Sequence, residues 1–236
     1  MEYKITGDNL QFVHLELTPG EKVYAEAGAM TYMTGNVAMT AKARGGLWKG
    51  LKRKLAKETF FMTEFTAEGG SGVVAFGGNV PGKIMAIDLR DGRSWILQKD
   101  AFLCAEDRVE MDITFQKRLG AAFFGGEGFI LEKVWGHGRV FVHAPGDIVE
   151  MDLEPNQVLK VSTGNVVGWE EAVSYDIQTV GGIKTALFGG EGIFVTVLRG
   201  PGKAVLQSLT LPRMASALIP FLPRQTSGSR GFTFGR

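Results

Sequence analysis

The chain has a single cysteine, Cys104, so no internal disulfide can form. One thiol in 236 residues fits a reducing compartment. Histidine is almost as scarce. His14, His137 and His143 are the whole supply, and no pair has a metal-ligand spacing, so no metal site is expected. No run of about 18 apolar residues occurs, which excludes a spanning helix defined by hydropathy. The opening Met1-Glu2-Tyr3-Lys4 is polar and leads into no apolar stretch, so no secretory signal is visible and the cytoplasm is the expected location. Net charge is small: 26 Lys/Arg against 25 Asp/Glu leaves +1, which gives no global attraction to nucleic acid or membrane. No Gly-x-Ser-x-Gly elbow is present, and Gly70-Ser71-Gly72 lacks its flanks.

What the chain has in excess is glycine, 33 residues, which points to many tight turns. At 44% hydrophobic and 22% charged, the rest is the composition of a globular protein with ample core. The organising stretch is Phe123-Phe124-Gly125-Gly126-Glu127-Gly128-Phe129, which returns as Leu187-Phe188-Gly189-Gly190-Glu191-Gly192-Ile193, 64 residues on. The same offset relates Ile87-Asp88-Leu89 to Met151-Asp152-Leu153, Val109 to Val173, Gly136 to Gly200 and Gly138 to Gly202. A third copy lies upstream at an offset of 72, where Leu15-Glu16-Leu17 matches Ile87-Asp88-Leu89 and Val23 matches Trp95 and Leu159. Pro19-Gly20, Asp91-Gly92 and Pro155-Asn156 align as turn pairs, and Gly28, Asp100 and Gly164 align as residues that tolerate positive φ. Glu58 then aligns with Glu127 at an offset of 69, so the first copy carries three extra residues before it.

Each copy reads as short strands. Leu10–Leu17, Ser94–Leu97, Arg108–Ile113 and Arg139–His143 are β-branched or aromatic runs bounded by turns. Gly136-His137-Gly138 and Gly200-Pro201-Gly202 sit where hairpin turns belong. This pattern predicts all-β units in tandem. Two stretches depart from it. Gly46–Lys57 sets Leu47, Trp48, Leu51 and Leu55 at helical spacing among five basic residues, Lys49, Lys52, Arg53, Lys54 and Lys57. Pro212–Pro220 reads as a short helix closed by prolines, followed by a flexible end. From Gly192 onward there are six Lys/Arg residues and no acid.

Chemistry is harder to place. Gly125-Gly126-Glu127-Gly128 lacks a Lys-Ser/Thr partner and sets an acid where a phosphate would sit, so it reads as a turn, with Gly126 and Gly190 as candidates for positive φ. Glu58, Glu127 and Glu191 share one repeated position, and Glu16, Asp88 and Asp152 share another. Such sets could bind a cation, but the simpler reading is a turn acid accepting local backbone N–H groups, copied by duplication. No catalytic, cofactor-binding or metal residue is assigned, and no enzyme activity is expected. The basic segment has a second reading: Trp48, Lys49, Leu51, Lys52, Arg53, Lys54 and Leu55 as a contact for an anionic membrane or partner.

The residues Ala25–Met33, Glu58–Thr63 and the two Phe-Gly-Gly-Glu-Gly motifs resemble the family of the altered inheritance of mitochondria protein 24, over the chain up to about Leu211. That resemblance implies a fold similar to the tryptophan RNA-binding attenuation protein: three tandem repeats of a shortened, jelly-roll-like double-stranded β-helix. It implies a homotrimer, or a multiple of three, forming a pseudo-ninefold ring. It carries over no catalytic residue, and a shared fold confers neither RNA nor tryptophan binding. The expected layout is repeat one over 1–81 with the basic insertion near 46–57, repeat two over 82–145, repeat three over 146–211, and a helix and tail over 212–236. The expected function is a non-enzymatic ring-forming scaffold or binding protein whose small-molecule ligand, if any, is unknown. Two alternatives stand beside it: a peripheral membrane protein using 46–57, and a small-molecule-binding protein or enzyme with sites between repeats or subunits.

Overall fold

In the computed structural model, residues 1–43, 61–117, 129–179 and 194–221 are described. They form an all-β architecture with one short helix. In chain order the first strands are β1 (Glu2–Thr6), β2 (Phe12–Leu17), β3 (Lys22–Glu26), β4 (Met30–Met33), β5 (Val37–Ala43), β6 (Phe61–Ala67) and β7 (Gly72–Gly77). Then come β8 (Gly82–Asp88), β9 (Trp95–Gln98), β10 (Phe102–Glu106), β11 (Val109–Lys117), β12 (Phe129–Gly136) and β13 (Arg139–Pro145). The last are β14 (Ile148–Leu153), β15 (Val158–Ser162), β16 (Val166–Glu170), β17 (Ser174–Thr179), β18 (Phe194–Arg199) and β19 (Gly202–Gln207).

These strands make four sheets. Sheet A has the order β1-β2-β7-β4, sheet B β5-β6-β3-β10-β13-β8, sheet C β11-β12-β9-β16-β19-β14, and sheet D β15-β18-β17. The order in sheet C is that of sheet B with each strand number raised by six. Strand alternation explains how the sheets stack. In β3, Val23 and Ala25 enter the buried cluster between sheets A and B, whereas Tyr24 enters the one between B and C. In β9, Trp95 and Leu97 join the B–C cluster and Ile96 the next, between C and D. Sheets B and C thus face a core on both sides, which is why the central strands β9 and β10 read as nearly continuous apolar runs. Sheet A covers a core with one face only: Val13, Leu15 and Leu17 of β2 point in, and Phe12, His14 and Glu16 point out.

The aligned turn pairs share a backbone. Gly20 (φ 83), Gly92 (φ 84) and Asn156 (φ 67) all lie in the left-handed region. The first and third are braced alike. The Thr18 N–H donates to Glu21 Oε2 and the Glu154 N–H to Gln157 Oε1, each at 2.8 Å. The other aligned trio departs from expectation. Gly28 has φ 91, but Asp100 and Gly164 sit in 3-10 turns, Lys99–Ala101 and Thr163–Asn165, whose residues have no positive φ. The hairpin glycines behave as expected: Gly136-His137-Gly138 joins β12 to β13, and Gly200-Pro201-Gly202 joins β18 to β19. The C-terminal helix α1 runs Leu211–Leu218, one residue earlier than expected, because Thr210 caps it by accepting the Arg213 N–H. Pro220 does not close the helix. It lies in a 3-10 turn, Ile219–Phe221, that continues it.

The three turns give a direct test. A Cβ at Gly92 would meet nothing within 4 Å, so Gly92→Ala carries only the backbone cost, about 1–2 kcal/mol. Asn156→Gly at the same turn position in the third copy should leave stability unchanged or slightly higher. Urea unfolding curves compare them. Equal midpoints for Gly92→Ala and the native chain would contradict the left-handed turn.

Candidate assembly interface

The strand orders leave β4 at one end of sheet A and β15 at one end of sheet D. Their counterparts are not edges. In sheet B, β3 pairs with β10 in the register Ala25↔Cys104, Tyr24↔Ala105, Val23↔Glu106. In sheet C, β9 pairs with β16 as Leu97↔Gly168, Ile96↔Trp169, Trp95↔Glu170. The strands β4, β10 and β16 also share an irregularity against their other neighbours. One residue is skipped between Met30 and Tyr32, between Phe102 and Cys104, and between Val166 and Gly168. A bulge in a fixed place sets which side chains face which layer. It aligns Tyr32 with Cys104 and Gly168, at the sequence offsets of 72 and 64.

Tyr32 projects from the outer face of sheet A, where it is 46% exposed. Its hydroxyl lies 2.7 Å from His14 Nδ1, and His14 Nε2 lies 2.6 Å from Thr6 Oγ1. The imidazole therefore bridges two hydroxyls, either of which can donate or accept. Phe12, 36% exposed, flanks the histidine with ring centroids 6.5 Å apart. Residue types explain why this face is open. At the positions aligned with Phe12, His14 and Tyr32, sheet B has Ile84, Ala86 and Cys104, which are packed in the A–B core. The same contrast is readable in the aligned repeats, where a tyrosine stands against a cysteine and a glycine.

Sheet D has the matching opening. Along β15, Val158, Lys160 and Ser162 are exposed, and Leu159 and Val161 turn inward. The C–D core beside them has an open rim. Leu159, Tyr175, Ile177, Phe194 and Leu206 pack against it while only partly buried.

The residues singled out from sequence fall elsewhere. Trp48, Lys49, Leu51, Lys52, Arg53, Lys54, Leu55, Glu58, Gly126, Glu127, Gly190 and Glu191 lie outside the described residues. The second carboxylate set is described, and two of its members hold basic neighbours. Arg90 Nε donates to Asp88 Oδ1 at 2.8 Å, and Lys203 Nζ lies 2.8 Å from Asp152 Oδ1. The hydrogen bonds from Arg90 hold the Asp88 carboxyl well below the usual carboxylate range. Both pairs are at the surface, where such interactions add little. Among the described residues no group of three His, Cys, Asp or Glu could hold a metal ion. Cys104 is buried in the A–B core, and that burial pushes its thiol up, away from the reactive thiolate.

His143 is buried on β13, with Nε2 3.1 Å from the Val80 carbonyl oxygen. Its ring lies so close over Gly78 that a Cβ there would come within 2.2 Å of it. Burial lowers its pKa below the ordinary 6.5, although the Val80 carbonyl works the other way. At the position 64 residues on, buried Gln207 makes a comparable bond, Nε2 to the Gly164 carbonyl at 2.8 Å.

Comparison with known proteins adds context to this geometry. The family model described as mitochondrial biogenesis AIM24 matches residues 3–209. An uncharacterized protein of Streptococcus pyogenes serotype M6 is 29% identical over 229 residues, spanning 93% of this chain and 90% of its own length. A crystal structure of a Streptococcus pyogenes protein superposes with a TM-score of 0.76 at 26% identity, covering 94% of this chain and 99% of that one.

His143 should leave a pH signature. Its neutral form is favoured in the fold, so the unfolded chain binds more protons between the lowered folded pKa and about 6.5. Its contribution to stability is complete above about pH 6.5 and is lost as pH falls through that window. His143→Gln, which places here the side chain that Gln207 supplies in the next repeat, should flatten the dependence. Urea midpoints at about pH 7.5 and 5.5 for both proteins provide the comparison, and identical slopes would reject this account.

Proposed function

The chain belongs to the AIM24 family, and from that membership and its two open strand edges we propose a non-enzymatic, ring-forming homo-oligomer that acts as a scaffold or binding protein. The observation that carries this reading is the complementarity of β4 and β15. The chain reads as three tandem units, β2–β7, β8–β13 and β14–β19, a reading supported by the common bulge and by the shift of six in strand order. Each internal joint pairs the second strand of one unit with the third strand of the next. Only the second strand of the last unit, β15, and the third strand of the first, β4, lack that partner among the described residues. Repeating the internal register across two copies pairs Val161 with Tyr32, Lys160 with Met33, and Leu159 with Thr34.

Energetics say what such a joint needs. A few backbone hydrogen bonds at about 1 kcal/mol each do not offset the roughly 4–15 kcal/mol of lost translational and rotational freedom. Apolar burial has to supply the rest. The outer face of sheet A provides it: in the internal joint, Ile84 and Cys104 complete the core of the preceding unit. By the same geometry Phe12 and Tyr32 of one copy complete the C–D core of the next, at about 1.5–3 kcal/mol for each fully buried ring. Head-to-tail pairing of this kind gives closed rings or open filaments. Three copies, making nine units, is the closure this reading selects.

Light scattering at micromolar concentration is the test, with a trimer or a multiple of three expected. Tyr32→Glu places a charge at the joint on a residue already half exposed. It should dissociate the assembly while leaving the far-ultraviolet circular dichroism intact. A monomeric native protein would sink the reading, and an unchanged trimer in Tyr32→Glu would remove sheet A from the joint.

A further inference from the structure

Helix α1 and the 3-10 turn that continues it bury no residue. Leu211, Met214 and Leu218 recur at a spacing of three and four, which lines them along one side of the helix. Beyond them Ile219 and Phe221 are 63% and 83% exposed, the latter the most exposed large apolar side chain among the described residues. An eight-residue helix is marginal by itself in water. A chain that presents five apolar side chains on so short an element gains nothing from the fold it leaves uncovered.

Charge identifies what fits this surface. From Leu211 to the end the sequence has Arg213, Arg224, Arg230 and Arg236 and no acid, whereas Arg199 and Lys203 flank the hairpin at the opposite end of β19. Placement adds a second argument. The antiparallel registers of sheet C bring Gln207, from which α1 continues, to the same end as Lys117, Phe129 and Ile148. In sheet B the corresponding end holds Ala43, Phe61, Pro145 and Gly82. Cyclic symmetry preserves strand direction, so every copy in a ring sends α1 out of the same face. Apolar residues that share their element with Arg213 and are followed, among charged residues, only by arginines, multiplied on one face, match a surface that is apolar below and anionic above.

We propose that α1 and the Ile219–Phe221 turn are a membrane-docking element that inserts Leu218, Ile219 and Phe221 into an anionic bilayer, with Arg213 at the headgroups. The multivalent part rests on the ring reading of the preceding subsection. Insertion of a short amphipathic helix is weak for one copy and gains through avidity when several share a face. Electrostatic attraction adds to it and is screened by salt.

The experiment is co-sedimentation of the full chain with sucrose-loaded vesicles of phosphatidylglycerol and phosphatidylcholine, beside phosphatidylcholine alone. Native protein should pellet with the anionic vesicles, less so with neutral ones, and less again at about 0.5 M salt. Leu218→Ser combined with Phe221→Ser should lower the apparent affinity by at least about tenfold. These side chains are exposed, so the variant should fold and elute as the native protein does. Native protein left in the supernatant with anionic vesicles overturns the proposal. So does equal binding by native protein and the double variant, which would place the contact elsewhere, and equal binding to neutral and anionic vesicles. Light scattering on the same samples separates the two readings. A trimer that ignores vesicles defeats the docking element alone, and a monomer that binds them through α1 defeats the ring alone.

Discussion

The structure depends on one constraint: sheets B and C have to satisfy two cores at once. Their strands alternate, so in the central strands β3, β9 and β10 odd and even residues alike are mostly buried and apolar. Tyr24 and Ala25 are neighbours in sequence yet belong to different cores, and so do Ile96 and Leu97. A shift of one residue in either joint would exchange the two sets. The bulges beside Cys104 and Gly168 fix that register. At Gly168 the fit has no slack, because a Cβ would come within 2.7 Å of the Ile96 carbonyl oxygen and 2.6 Å of the Leu97 side chain.

Much of this was legible in the residues. The all-β class followed from short apolar runs between turn pairs. The aligned turn pairs at Gly20, Gly92 and Asn156 were visible as turns, and the structure adds that all three are left-handed, a conformation glycine and asparagine accept readily. Alignment misled at Asp100 and Gly164. There the aligned type suggested positive φ, but the link to the next strand is closed by a 3-10 turn instead of the looser connection used at Gly28. Repeated motifs drew attention to the glutamates and glycines that every copy keeps. The proposed interface lies where copies differ, at His14 against Ala86 and Tyr32 against Cys104. A search for shared residues passes over such positions.

Family membership and a superposable Streptococcus pyogenes structure set the fold and leave the activity open. The functional reading has to come from geometry, and geometry favours surfaces over pockets of reactive groups. His143 is held by a backbone carbonyl, Cys104 is sealed in a core, and Asp88 and Asp152 are occupied by neighbouring cations. Each of these groups has a structural partner or a structural place. Apolar side chains that point outward include Phe12 and Tyr32 on sheet A and those of the α1 face.

The proposed outer joint is not a copy of the inner ones, and the differences have a physical direction. Tyr24 and Ile96 of the inner joints are buried, whereas the aligned Lys160 on β15 is exposed and charged. Glu106 and Glu170 of the inner joints are replaced by Thr34. Ala86 in sheet B is replaced by His14, which reaches two hydroxyls. An inner joint forms once, as the chain folds, and never meets water as a finished surface. An outer joint must stand in water on the free chain before it meets its partner, and an open, flat, apolar edge there would pair indiscriminately. A lysine on one edge and a histidine–tyrosine pair beside the other restrain that pairing. Their cost is affinity, since each polar group has to find a partner again once the joint closes. Under the ring reading, the polar substitutions at Lys160, Thr34 and His14 are what allow one repeat architecture to supply both a permanent core and a reversible contact.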